Sequence, residues 1–402
     1  MNKFRRLLLS FLLILVLVGC GSNTSKPTKK DDSKKQDTKQ VETIEDKVKL
    51  KMSSMTLDEK IAQMLVISYL SDTVDDTLEY ILETYKPSGF ILMSENYSTF
   101  DNTKQLIDDI KSYSDIPMII ATDEEGGNVQ RLKLLTDVEP TDLPYMYDVG
   151  KTEDTSYAKD VAKVLAEELR TLGINVTFAP DTDIWTNPEN TVIGKRSFGN
   201  DSDTVSTMSI AFNQGLEKNG IIGCFKHFPG HGDTFVDSHK ELPVVNKTYD
   251  NLKKLELIPF QDAINNGAKM IMVGHIAFPN ITGDNTPSSL SKKIITDILK
   301  DDMHYDGLII TDALDMKALK DNYTDEEIVT KAINAGVDLL LMPNETSQTI
   351  EYIRDNISED RIDESVKKIL LFKYKYLDNY EYTDKSVLGS KEHKSLIKNV
   401  DE

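Results

Sequence analysis

Residues 226–239 read KHFPGHGDTFVDSH. Three of the chain's six histidines stand here, with Lys226, Asp233, Asp237 and the turn-forming Pro229, Gly230 and Gly232. Ionisable side chains this dense in a bent segment cost free energy unless they are paired or do chemistry. The residue types fit proton transfer. An imidazole titrates near neutral pH, and a nearby carboxylate can orient such a ring and stabilise its cation. The Gly and Pro residues are expected to let this loop swing over a substrate. The same side chains suit a second chemistry, since His227, His231, Asp233, Asp237 and His239 are all possible zinc ligands. Their spacing matches no helix-borne zinc pattern such as HExxH. No metal or other cofactor is therefore expected, and a metal-dependent hydrolase is the alternative.

The stretch directly follows the apolar run Ile221–Phe225, so its histidines begin where a buried strand ends. Similar runs recur at 64–69, 89–93, 117–121, 175–179, 222–225, 270–273, 308–310 and 337–342. Most are continuously apolar, as parallel strands buried on both faces are. Amphipathic helical stretches alternate with them, at 103–112, 157–172, 204–218, 250–265, 291–301, 325–334, 347–355 and 362–376, with Ser291 and Thr324 as N-cap candidates. Eight strands each followed by a helix predict an α/β fold, a (β/α)8 barrel. A doubly wound open sheet is the other arrangement, but no Gly-rich phosphate loop supports it.

In a barrel the reactive groups gather at the C-terminal strand ends. Ionisable residues follow five of the runs: Asp123, Asp181, Lys226–His227, His275 and Asp312. For one run a helix cap or a solvated charge would explain this; for five a shared site explains it better. Trp185, the single tryptophan, is expected either to stack on a ligand or to pack in the core.

Four segments carry a family resemblance. TDEEGGNVQRL (122–132), VIGKRSFGND (192–201), KHFPGHGDTFVDSH and ITDALDMKAL (310–319) resemble, in this order, signatures of the family 3 glycoside hydrolases, β-N-acetylglucosaminidase branch. The resemblance implies a retaining enzyme with a covalent glycosyl-enzyme intermediate. It implies that Asp312 is the nucleophile, and that His239 with Asp237 replaces the usual carboxylic acid as acid/base. It implies that Asp123, Arg131, Arg196, Lys226 and His227 hold the sugar. The substrate would be a β-linked terminal GlcNAc of muropeptides or chitin-type saccharides, with water or phosphate as acceptor. Asp181, His231, Asp233 and His275 have no assigned role. A surface protein that only binds glycan is the non-enzymatic alternative.

The termini bound the compartment. Lys3, Arg5 and Arg6 precede an apolar stretch, Leu7–Val18, shorter than the about 20 residues a spanning helix needs. Leu17-Val18-Gly19-Cys20 resembles a lipobox, so residues 1–20 read as a signal peptide with Cys20 lipidated. Residues 21–45 read as a polar, disordered tether and 46–402 as one catalytic domain. The expected location is extracytoplasmic, anchored to the bacterial cell membrane, and a monomer is expected. The formal charge is -20, and the first 40 residues are net basic, so the remainder is strongly acidic. That excludes a basic nucleic-acid-binding surface. If Cys20 is lipidated, Cys224 has no partner and reads as a buried apolar residue.

Overall fold

The computed structural model describes residues 43–235, 238 and 240–398. Parallel strands form in all eight expected runs: β1 (Leu65–Ile67), β2 (Gly89–Leu92), β3 (Ile119–Thr122), β4 (Val176–Thr177), β5 (Ile222–Gly223 and Phe225–Phe228), β6 (Met270–Val273), β7 (Leu308–Thr311) and β8 (Leu340–Leu341). Their residues are buried throughout, as continuous apolar runs require when both faces are covered.

Neighbours follow chain order. β1 pairs with β2 (Val66↔Gly89), β2 with β3 (Phe90↔Ile120), β3 with β4 (Thr122↔Thr177) and β4 with β5 (Val176↔Ile222). The second piece of β5 pairs with β6 (Phe225↔Ile271), β6 with β7 (Ile271↔Ile309), and β8 returns to β1 (Leu340↔Leu65). The barrel expectation is met in part, because two ladders form instead of one. One ladder runs β8-β1-β2-β3-β4-β5 and the other β5-β6-β7, with β5 interrupted at Cys224. Between β7 and β8 only the bridge Ile310↔Leu339 remains. Side chains take over the missing rungs there. The Ile309 amide donates to the Asp338 carboxylate at 3.0 Å, and the Leu341 amide to Thr311 Oγ1 at 3.1 Å.

The helices cover the strands from outside. Thr155–Leu172 buries Val161, Val164, Leu165 and Leu169 and packs on Ser202–Lys218. A Cβ at Gly215 would stand 2.7 Å from Ala162 Cβ and 2.8 Å from the Lys159 carbonyl, so glycine permits this close crossing. The helix expected over 250–265 is two helices, Tyr249–Lys254 and Leu257–Asn265. Pro259 cannot donate to the carbonyl four residues back, which breaks the run. Thr324 caps its helix, with Glu327 closing a capping box. Ser291 directly precedes the helical run that opens at Lys292; its carbonyl accepts the Ile295 amide at 3.0 Å and its hydroxyl the Ile294 amide at 3.4 Å, as an N-cap does. Ahead of the first predicted helix, three more lie outside the predicted set: Ile44–Ser54, Leu57–Ala62 and Asp76–Tyr85. The first begins inside the expected tether, opened by a Thr43/Asp46 capping box.

Candidate active site

The C-terminal strand ends surround a cavity of about 490 Å³. Ile91, Phe178, Met272 and Leu341 form an apolar floor, and Asp123, Glu125, Arg131, Arg196, Lys226, His227, His231, Ser238 and Asp312 line it above. The polar groups arrive from four strands, β3, β4, β5 and β7. After β3 a short hairpin (Glu124–Gly126 with Val129–Gln130) turns through Gly126 and Gly127, at φ 111° and 56°, a conformation glycine adopts without strain. That reversal brings Arg131 back to the cavity that Asp123 borders. The loop after β4 carries Asp181 and Asp183 into the interior and ends in a turn holding Arg196.

A buried ionic cluster joins these loops. Glu125 accepts Arg196 Nε at 2.8 Å and Nη2 at 2.8 Å, one bond on each carboxylate oxygen. Lys226 Nζ lies 2.6 Å from Glu125 Oε1 and 2.9 Å from Asp123 Oδ1. Burial by itself would raise the Glu125 pKa, but Arg196 and Lys226 outweigh it and hold this carboxyl well below the usual range. Burial likewise lowers Lys226 and Arg196, yet their carboxylate partners keep both firmly cationic. Arg131 Nε is buried without a hydrogen-bond partner, a donor with capacity left for a ligand.

His227 stands on Asp183. Its Nδ1 lies 2.7 Å from Asp183 Oδ2, so Nε2 is the ring nitrogen able to meet a ligand. Burial lowers the His227 pKa to about 4, and the ring is neutral at ordinary pH. Asp312 follows β7. Its amide donates to the Val273 carbonyl at 2.9 Å and its Oδ1 accepts the Ala313 amide at 2.8 Å. Burial raises the Asp312 pKa, but His227, His275, the Ala313 amide and Lys226 together bring it below the ordinary value. With His227 neutral, the remaining stabilisers of the carboxylate are His275, the Ala313 N–H and the Lys226 cation. His275 supports the turn after Asp312, with Nε2 2.9 Å from the Ala313 carbonyl and Nδ1 2.7 Å from Ser289 Oγ.

The base of the histidine loop is fixed, which corrects the expectation that Pro229, Gly230 and Gly232 form a hinge. The His231 amide donates to Asp183 Oδ1 at 2.6 Å, Asn190 Nδ2 to the His231 carbonyl at 2.8 Å and Asn187 Nδ2 to the Thr234 carbonyl at 3.0 Å. A Cβ at Gly232 would lie 1.8 Å from the Ile184 carbonyl oxygen, and one at Gly230 2.9 Å from Glu256 Cβ. These glycines serve close approach. Asp237 and His239 lie outside the described residues; Ser238 between them lines the cavity.

Among the described residues, the side chains offered for metal binding are otherwise engaged. Asp233 pairs with Lys247 at 2.9 Å. Among the described residues, Asp181, Asp183 and His227 bring ligand atoms within 4.8 Å of one another. Asp183, however, already accepts two backbone amides and the His227 ring, and Asp181 Oδ2 faces Arg196 at 3.6 Å. A dication would meet the guanidinium, so the donor set fits protons and arginine better than a metal. Burial, then the neighbouring Asp183, raises Asp181 to about 7. Trp185 packs edge-on to Tyr147, with ring centroids 5.3 Å apart, and does not line the cavity. Cys224 is buried.

All five expected sugar-holding residues and Asp312 thus border one cavity. Sequence reasoning passed over Glu125 and Asp183, which hold those residues in place. Each stands two residues past a selected aspartate, Asp123 or Asp181, and only the folded loops show which carboxylate faces the cavity and which faces its neighbours.

Comparison with known proteins bears on this arrangement. Residues 56–371 match the glycosyl hydrolase family 3 N-terminal domain. β-Hexosaminidase A of Pseudoalteromonas piscicida is 36% identical over 67% of this chain, and the match spans 48% of that enzyme's length. A β-hexosaminidase of Nitrosomonas eutropha is 30% identical over 72% of this chain and 83% of its own length. The structure of a family 3 β-N-acetylglucosaminidase from Paenibacillus sp. FPU-7 superposes with a TM-score of 0.80 at 31% identity, covering 86% of this chain and 68% of that one.

Two expectations follow from the geometry. Glu125→Gln removes the charge that neutralises Arg196 and Lys226, so the protein should lose about 3 kcal/mol of stability. Catalytic efficiency of the folded fraction should fall by about 10²-fold or more through misplacement of both cations. Melting curves and steady-state rates check this; an active, equally stable variant contradicts it. Glu124 carries a second signature. It is buried, and burial raises its pKa to about 8, against the pull of the Leu132 and Arg131 amides. The folded form therefore keeps a proton that the unfolded chain loses above the ordinary value near 4.5. Its contribution is fully present below that value and is lost as pH rises to about 8. Glu124→Gln should thus gain stability relative to the parent between pH 5 and about 8, then level off. A difference independent of pH in melting experiments excludes this state of Glu124.

Proposed function

The chain belongs to glycosyl hydrolase family 3, and on that premise we propose that it is a retaining, exo-acting β-N-acetylglucosaminidase. One observation carries the reading. The Asp312 carboxylate, kept ionised at the end of β7, shares a single cavity with Asp123, Arg131, Arg196, Lys226 and His227. Its volume of about 490 Å³ lies within the range of small-ligand pockets and suits one terminal sugar. We also read the two ladders as one (β/α)8 barrel completed at the Ile310↔Leu339 bridge.

In the proposed reaction Asp312 attacks the anomeric carbon while the bond to the leaving oxygen breaks, giving a glycosyl ester on Asp312. His239, oriented by Asp237, donates a proton to that oxygen. It then takes a proton from the incoming water, which hydrolyses the ester with net retention. Asp123 accepts sugar hydroxyl protons. Lys226 and the two arginines donate, and neutral His227 can do either. The position of Ser238 on the cavity wall supports placing its two sequence neighbours at the chemistry. The substrate class we assign is terminal β-linked GlcNAc of muropeptide or chitin-type saccharides. We assign the protein to the outer side of the cell membrane, held by a lipid on Cys20, as a monomer acting in peptidoglycan turnover. No helix among the described residues is long and apolar enough to cross a membrane.

Asp312→Asn should abolish turnover of an aryl β-N-acetylglucosaminide with the melting temperature retained, since the amide cannot form the ester. Activity within tenfold of the parent sinks the nucleophile assignment. Cys20→Ala should move the protein from the membrane to the soluble fraction, with turnover unchanged. Retention in the membrane, or loss of turnover on release, contradicts the anchor.

A further inference from the structure

Gln130 is buried and does not border the cavity, yet it directly precedes Arg131, which does. A buried amide costs free energy unless its donor and acceptor are both used. Here both are. Its Oε1 accepts the Leu143 amide at 3.1 Å, and its Nε2 donates to the Leu143 carbonyl at 3.4 Å and to the Gly127 carbonyl at 3.3 Å. The side chain thus bonds Leu143 at both N–H and C=O, as a neighbouring strand would. Gly127 adds a backbone bond to the same Leu143 carbonyl at 3.1 Å. Packing is close as well, since a Cβ at Gly126 would lie 2.6 Å from the Pro144 carbonyl oxygen. The Leu143 segment is itself anchored. Two residues back, the Thr141 hydroxyl and amide donate to Glu168 at 2.6 and 3.0 Å. Glu168 lies on the helix Thr155–Leu172 and also accepts the Gly389 amide and the His393 ring, each at 3.0 Å. Arg131 needs such a frame. Glu125 grips Arg196 through two bonds, whereas Arg131 Nε is buried with no hydrogen-bond partner. The direction of Arg131 therefore depends on the backbone that presents it. On one side Leu132 donates its amide to Glu124 at 3.1 Å; on the other stands Gln130.

We infer that Gln130 is a positioning residue for Arg131. By clamping the return arm of the hairpin to Leu143, and through Thr141 to Glu168, it aims the guanidinium into the cavity. The inference rests on the reading of Arg131 as a sugar-holding group. Gln130 itself touches no sugar and moves no proton.

Steady-state rates on an aryl β-N-acetylglucosaminide, with free GlcNAc as competitive inhibitor, test it on the whole chain. Gln130→Met keeps the size of the side chain and removes its three bonds. Misaiming a binding group weakens substrate and product alike. KM and the inhibition constant for GlcNAc should therefore each rise about tenfold, while kcat changes less than about threefold. Arg131→Ala should raise both constants at least as far. Adding Gln130→Met to it should raise them less than about twofold further, as two changes to one interaction do. A Gln130 that only held the fold together would cost the same in both backgrounds. Thr141→Val should repeat the pattern more weakly, and Thr141→Ser, which keeps the hydroxyl, should match the parent. Unchanged constants in Gln130→Met, or equal losses with and without Arg131, overturn the positioning role. If Arg131→Ala leaves both constants unchanged, the sugar-holding reading of Arg131 fails and this inference with it. Should Gln130→Met not fold, Thr141→Val against Thr141→Ser, measured with and without Arg131, decides between the same outcomes.

Discussion

A single buried carboxylate makes the site possible. Glu125 sits between Arg196 and Lys226 with almost no exposure. Two desolvated cations at adjoining strand ends would repel each other and lose their hydration. With Glu125 between them and Asp123 on the far side of Lys226, both stay charged and keep donors available to a ligand. The same contacts tie the hairpin after β3 to the loop after β4 and to β5, three segments with no continuous ladder at that end of the sheet. Asp312 benefits in turn, since Lys226 is one of the groups that keep it ionised.

The second constraint is steric. Asp183 takes the His227 ring and the amides of His227 and His231, and so fastens the histidine loop to the loop after β4. Gly232 lets the two backbones meet where any side chain would strike the Ile184 carbonyl. Lys247 draws Asp233 and Glu256 together beneath this junction. Burial keeps His227 and His231 neutral near pH 7, so they act as hydrogen-bonding and packing groups and carry no charge there.

Much of this was legible in the sequence. Continuous apolar runs located all eight parallel strands, because strands buried on both faces leave no polar alternation. The ionisable residues just past those runs marked one end of the sheet, and Asp123, Lys226, His227 and Asp312 do border one cavity. What stayed hidden depends on contacts far apart in sequence. Asp123, Glu124 and Glu125 are three consecutive acids with three fates: one faces the cavity, one is buried against the Leu132 amide and one neutralises two cations. Periodicity cannot separate them, because the hairpin at Gly126–Gly127 decides which way each points. Gly230 and Gly232 read as flexibility in the sequence and are close-packing positions in the fold. The interruption between β7 and β8 was equally invisible, since it arises from Asp338 and Thr311 side chains replacing backbone rungs.

The central claim is that Asp312 becomes covalently glycosylated, and trapping the intermediate tests it most directly. The protein is mixed with an activated fluoro-sugar analogue that forms the ester quickly and hydrolyses it slowly, then digested and sequenced by mass spectrometry. The account predicts one added sugar, located on Asp312 within the peptide ITDALDMKAL, and none in Asp312→Asn. A stable adduct on another carboxylate, or turnover of natural substrate with inverted anomeric configuration and no adduct, would contradict it.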